Sequence, residues 1–143
     1  MPFALLIATV WLTGLPDGLG KDCWLKSMPE LRYKATCVLR ADFDGDGKTD
    51  AATLVRETAG LKRRGVALAM GNGRQFVLGA GTAFGNGGDD FTWLDAWHVL
   101  PKQEVKQLYK DARGDGLVVE ETGSAGGLVI FLKDRPVWKQ WSD

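Results

Sequence analysis

Asp42-Phe43-Asp44-Gly45-Asp46-Gly47-Lys48-Thr49-Asp50 is the stretch from which the rest of this chain is read. Carboxylates stand at its first, third, fifth and ninth places, and a glycine at its sixth. Acids packed this closely repel one another unless a cation sits among them. A tight loop turns alternate side chains toward one centre. Gly47 supplies the positive φ that closes such a loop. Lys48, at the seventh place, offers its backbone carbonyl while its side chain points to water. The donor set Asp42, Asp44, Asp46, Asp50 and the Lys48 carbonyl is all hard oxygen, and Ca²⁺ is the cofactor it suits. The alternative is an Asp/Gly surface turn without an ion, since both residues are ordinary turn formers. The fourth carboxylate and the apolar flanks favour the ion.

The flanks decide the kind of loop. An EF-hand requires a bidentate Glu at the twelfth place and a helix on each side. Thr53 occupies that place, and Ala35–Ala41 and Ala51–Arg56 are rich in β-branched residues, which predicts strands. The stretch Ala41-Asp42-Phe43-Asp44-Gly45-Asp46-Gly47-Lys48-Thr49-Asp50-Ala51-Ala52 resembles the calcium loop of the FG-GAP/VCBS repeat, found in integrin α-subunit propellers and many secreted bacterial proteins. Ala69-Met70-Gly71-Asn72-Gly73-Arg74-Gln75-Phe76 is similar to the glycine-rich second hairpin of such a repeat. The resemblance spans about residues 36–79. The ending Val137-Trp138-Lys139-Gln140-Trp141-Ser142-Asp143 resembles, more faintly, the last strand of small secreted bacterial proteins carrying one such repeat.

Residues 1–20 differ in character from the rest. Phe3–Leu15 is an apolar run without a charged side chain, too short to span a bilayer comfortably. Gly18 and Gly20 place small residues as a signal-peptide cleavage site does, although no basic residue precedes Lys21. A signal peptide over 1–20 with maturation after Gly20 is the expectation, a buried N-terminal strand or helix the alternative. Either way no stable membrane insertion is expected after removal. Cys23 and Cys37 are the only cysteines. An even pair behind an export signal predicts a disulfide and a periplasmic or secreted location.

The remainder, residues 21–143, reads as one domain. About eight short runs with turn signals between them predict an all-β fold, a small antiparallel domain of one or two propeller-blade-like sheets in a sandwich or open barrel. A closed propeller needs roughly four blades of four strands, more than this length supplies. Gly65–Met70 and Gln75–Leu78 around Asn72-Gly73 predict a hairpin with positive φ at both turn residues. Gln103–Lys110 suits one short helix, and the last two strands suit a second hairpin. Phe91–Leu100 reads either as a strand, with Phe91, Trp93, Asp95, Trp97 and Val99 on one face, or as a helix. Gly79–Asp90 reads as a flexible, glycine-rich loop.

Function is narrowed by what is missing. Eighteen basic and 18 acidic residues leave a formal net charge of +0, which argues against a nucleic-acid grip. His98 is the only histidine, Gly123-Ser124-Ala125-Gly126-Gly127 departs from a nucleophile elbow because Thr122 precedes it, and Gly71-x-Gly73 runs into a strand rather than a phosphate-cradling helix. The reading is therefore an exported, non-catalytic calcium-binding module for a protein or glycan partner. The alternatives are a periplasmic inhibitor or toxin-neutralising, immunity-type protein, and a hydrolase with an unrecognised site. Partner contacts are expected from Trp93, Trp97, Asn86 and Asp89, because loops on a rigid β scaffold commonly carry binding residues.

Overall fold

The computed structural model describes residues 14–25 and 36–142. Nearly all of the apolar run Phe3–Leu15 lies outside the described residues. Among the described residues two antiparallel sheets form, and no barrel closes. The first holds β1 (Leu19–Lys21), β2 (Val38–Ala41), β3 (Asp50–Glu57), β4 (Arg64–Ala69) and β5 (Gln75–Gly79). β3 pairs with β2 along its first half, with β1 along its second, and with β4 on its other side, while β5 follows β4. The second sheet is the meander β6 (Ala96–Leu100), β7 (Gly116–Glu120), β8 (Gly126–Leu132) and β9 (Arg135–Ser142). Between β6 and β7 lies one helix, α1 (Lys102–Leu108). The fold is all-β, as expected.

Period-two patterning explains which faces are buried. Ala52 and Leu54 of β3, Val66 and Leu68 of β4, and Leu78 of β5 meet Trp97 of β6, Leu117 and Val119 of β7, and Val129 and Phe131 of β8 in one core. Phe43, Met70, Phe91 and Leu94 complete it from the connections. Burying each of the larger side chains contributes about 1.5–3 kcal/mol. On the reverse face of the second sheet, Val118, Leu128 and Ile130 pack with Val105 of α1, Leu100 and Ala112. β7 and β8 are covered on both faces, so they read as unbroken apolar runs rather than alternating ones. At the chain end Trp138 packs into the first cluster and Val137 and Trp141 into the second, one tryptophan per face as their spacing requires.

The N-terminal segment is tied to the first sheet. Cys23 and Cys37 form a disulfide with Cα atoms 5.3 Å apart, linking this segment to the residue that enters β2. Asp22 meets Arg56 at 3.0 Å and Arg64 at 3.4 Å. Trp24 donates its indole N–H to the Leu94 carbonyl at 2.8 Å, and the Arg64 guanidinium lies 5.3 Å from its ring centre. Leu19 and Gly20 pair with Glu57 and Arg56, so a cut after Gly20 falls inside β1. Among the described residues no helix is long and apolar enough to cross a membrane.

Three local expectations need correction. Phe91–Leu100 is not one element: Phe91–Trp93 forms a 3-10 turn and β6 begins at Ala96. The cause is Asp90, whose carboxylate accepts the Thr92 N–H at 3.2 Å and its hydroxyl at 2.5 Å, capping the turn before the strand can start. In the turn that joins β4 to β5 only Gly73 has positive φ, at 93°. The Gly73 N–H closes a turn on the Met70 carbonyl (2.9 Å), and Asn72 instead accepts the Arg74 N–H (2.9 Å) with its side chain. Gly79–Asp90 is bonded internally, through Gly81 N–H to the Asp89 carbonyl (2.8 Å) and Phe84 N–H to the Gly88 carbonyl (3.1 Å). Its Gly85–Gly87 turn packs against β8 and β9.

Candidate functional site

Ala41 and Asp50 are register partners in the β2–β3 pair, so the acidic loop is the direct connection of a strand–loop–strand unit. Phe43 is its buried anchor, 2 % exposed in the core between the sheets. The Phe43 N–H donates to Asp50 Oδ2 at 2.8 Å, and the Gly71 N–H donates to Asp50 Oδ1 at 2.8 Å. Asp50 is 0 % exposed. These bonds explain how its burial is tolerated, because a buried carboxylate must be hydrogen-bonded. A Cβ at position 71 would sit 2.6 Å from Lys48 Cβ, so glycine there lets the hairpin reach Asp50.

The loop is also fastened to the second sheet, through the segment that leads into β7. The Asp42 N–H donates to Asp115 Oδ2 (3.1 Å), and the Asp115 N–H donates to the Asp42 carbonyl (2.9 Å). Asp115 Oδ1 takes the Lys102 N–H at the start of α1 (2.9 Å). Gly45, at φ 73°, lies under the Arg113 carbonyl so closely that a Cβ would come within 1.9 Å of that oxygen. Sequence reasoning missed Arg113, Gly114 and Asp115. The Gly114-Asp115-Gly116 run is a visible turn signal, but its approach to the loop is tertiary.

Asp42, Asp44 and Asp50 each bring a carboxylate oxygen to within 4.8 Å of the others, a group that can hold a metal ion. Asp46 lies beside this trio. Its Oδ1 accepts the Lys48 N–H at 2.8 Å, and its own N–H donates to Asp42 Oδ1 (3.1 Å) and Asp44 Oδ1 (3.4 Å). Asp42 Oδ2 accepts the Gly47 N–H at 2.8 Å, with Gly47 at the positive φ expected of it, 85°. The Lys48 side chain is exposed. Each carboxylate oxygen engaged by one N–H keeps a second lone pair for a cation. The trio's electrostatics are those of crowded acids. Partial burial, then the charge of Asp50, pushes the Asp44 carboxyl up to about 6. Burial also raises Asp50, against the lowering effect of the backbone N–H groups of Gly71 and Phe43. A bound divalent cation reverses both effects by stabilising the ionised forms.

Of the expected partner contacts, Asn86 and Trp93 come together in a cleft of about 370 Å³, also walled by Glu121, Trp138 and Gln140. Trp97 is not available: it is 9 % exposed and donates its indole N–H to the Thr36 carbonyl at 2.7 Å. The inward phase of β6 sets this. Asp89 does not line the cleft and pairs with Arg63 at 3.0 Å. His98 lies with Nδ1 3.8 Å from Glu120 across the β6–β7 pair. No family model, curated protein or solved structure matches this chain.

Proposed function

We propose that this protein is an exported, non-catalytic calcium-binding module of the FG-GAP/VCBS kind, offering a binding surface to a protein or glycan partner. The convergence of Asp42, Asp44 and Asp50 in a strand–loop–strand connection carries the reading. Those three side chains would hold the ion, with Asp46 and the Lys48 carbonyl as the remaining donors of the loop. Calcium supplies charge neutralisation there and so a rigid joint between the sheets. Export is supported by the Cys23–Cys37 disulfide, a bond that persists in oxidising compartments.

Calorimetry of the intact protein is expected to give a Ca²⁺ Kd on the order of 10⁻⁴–10⁻³ M, the range of extracellular modules. Asp44→Ala is expected to abolish the heat. Equal heats for the two proteins, or none for either, would refute the site.

The pH dependence has a definite sign. The Asp44 carboxyl titrates near 6 in the fold, above its ordinary value of 3.8. Its contribution to the stability of the metal-free protein is therefore present at acid pH and lost as pH rises through about 6. Calcium affinity runs the other way, because the ion must displace that proton. A fall of about tenfold per pH unit below about 6 is expected, measured by titrations between about pH 5 and about pH 7.5. Flat affinity across that window would show that calcium displaces no proton from Asp44 there.

A further inference from the structure

We propose that the cleft between the Gly85–Gly87 turn and the β8–β9 hairpin is a saccharide subsite, in which Trp93 and Trp138 form the apolar wall beside a neutral sugar ring. This deepens the glycan-partner reading above and rests on it. The calcium loop is a separate place on the molecule.

Trp138 has a bed built for it. β8 shifts register between Gly126 and Gly127, and the indole lies over Gly127 so closely that a Cβ there would meet its ring at 2.3 Å. From a different part of the chain, a Cβ at Gly85 would meet Trp138 Cβ and Cγ at 2.3 Å, and one at Gly87 would meet Cζ3 at 3.0 Å. Three glycines from two segments thus hold one ring. Trp93 stands edge-to-face to it, with centroids 6.2 Å apart at 82°, and is fastened by its N–H to the Gly87 carbonyl at 2.9 Å. Both indoles stay half-buried although the backbone fixes their positions. Rings locked without a ligand lose little entropy on binding one.

The rim selects the ligand. Asn86 and Gln140 face each other, Nδ2 to Oε1 at 3.0 Å, and Glu121 stands exposed beside them. Amides and a carboxylate suit hydroxyl groups, and among the described residues no lysine or arginine lines the cleft to pair with an anion. A sugar ring offers an apolar face ringed by hydroxyls, which this combination of indoles and polar edges matches. A cage for an ammonium group needs aromatic faces on several sides, whereas two perpendicular rings line this one. The cleft's volume lies within the small-molecule range of roughly 300–1,000 Å³.

The test follows the indole N–H resonances of the intact, disulfide-bonded protein by NMR. It is titrated with cellotetraose, maltotetraose, chitotetraose and choline to about 10 mM each, a concentration sufficient for millimolar affinities. One tetrasaccharide is expected to shift the Trp93 and Trp138 signals saturably. Glu121→Ala and Gln140→Ala are expected to weaken it about fivefold or more while leaving the melting temperature unchanged. The proposal is overturned if no tetrasaccharide shifts these signals, if choline alone does, or if neither variant changes the affinity. It is also overturned if a protein partner, rather than a sugar, is lost on the same substitutions. Calcium calorimetry on the same sample separates the two readings. Calcium heat without saccharide shifts removes only this inference, and saccharide shifts without calcium heat remove only the metal site.

Discussion

Asp50→Ala is expected to cost about 2–4 kcal/mol in the metal-free protein and more in calcium. Asp50 is fully buried, and its two oxygens accept the N–H groups of Phe43 and Gly71. Truncation strands both donors, at about 1–3 kcal/mol each. Part of that loss is offset, because the variant no longer buries a charge or sets it against Asp42 and Asp44. The donors win because they tie the N-terminal side of the loop and the β4–β5 turn to the buried start of β3. With about 2–4 °C of melting temperature per kcal/mol for a chain of this size, the drop should be roughly 4–16 °C. Asp50→Asn keeps one acceptor and should fall between variant and parent. Thermal melts in EDTA and in saturating calcium check both points. Calcium should raise the parent's melting temperature and leave that of Asp50→Ala unchanged. A parent-like melt for Asp50→Ala would show that the buried carboxylate contributes nothing.

Opening the Cys23–Cys37 bond is the second large effect. The bond closes a loop of about 15 residues, which the chain-entropy model values at about 3 kcal/mol. Non-covalent contacts hold the same segment through β1, Asp22 and Trp24. Those contacts are exposed or partly exposed, and surface ion pairs contribute about 0–1 kcal/mol each, so they cannot replace the covalent tie. Cys23→Ser with Cys37→Ser should melt roughly 6–12 °C lower, with the segment around Trp24 loosened first. Limited proteolysis followed by mass spectrometry locates the first cut. Coincident melts of parent and variant would remove the stabilising role, and a first cut in β7 or β8 would remove the proposed order of loosening.

Much of this was legible in the sequence because the signals were local. Alternation along β3 and β5, the glycine-rich turns and the spacing of Asp42, Asp44 and Asp50 depend on neighbours a few residues away. The parts that were not legible depend on distant partners. Trp97 is expected among the partner contacts, yet the phase of β6 turns it into the core. The glycines at 85 and 87 read as part of a flexible loop, whereas their role is to make room for Trp138, a residue far along the chain.

The bonding of Asp42 to Asp115 spans 73 residues of sequence. Its consequence is kinetic. Strands β2 to β5 and β6 to β9 pair in chain order, each closing on its neighbour in sequence, whereas docking one sheet on the other through the acidic loop is a longer closure whose entropy is lost at once. Contacts made across that dock are expected to form after the folding transition state, and interactions absent from the transition state slow unfolding without speeding folding. Calcium in this loop should therefore leave the refolding limb of a denaturant chevron in place and lower the unfolding limb. An equal shift in both limbs would place the loop in the folding nucleus instead. The ion's value then lies in how seldom the chain opens.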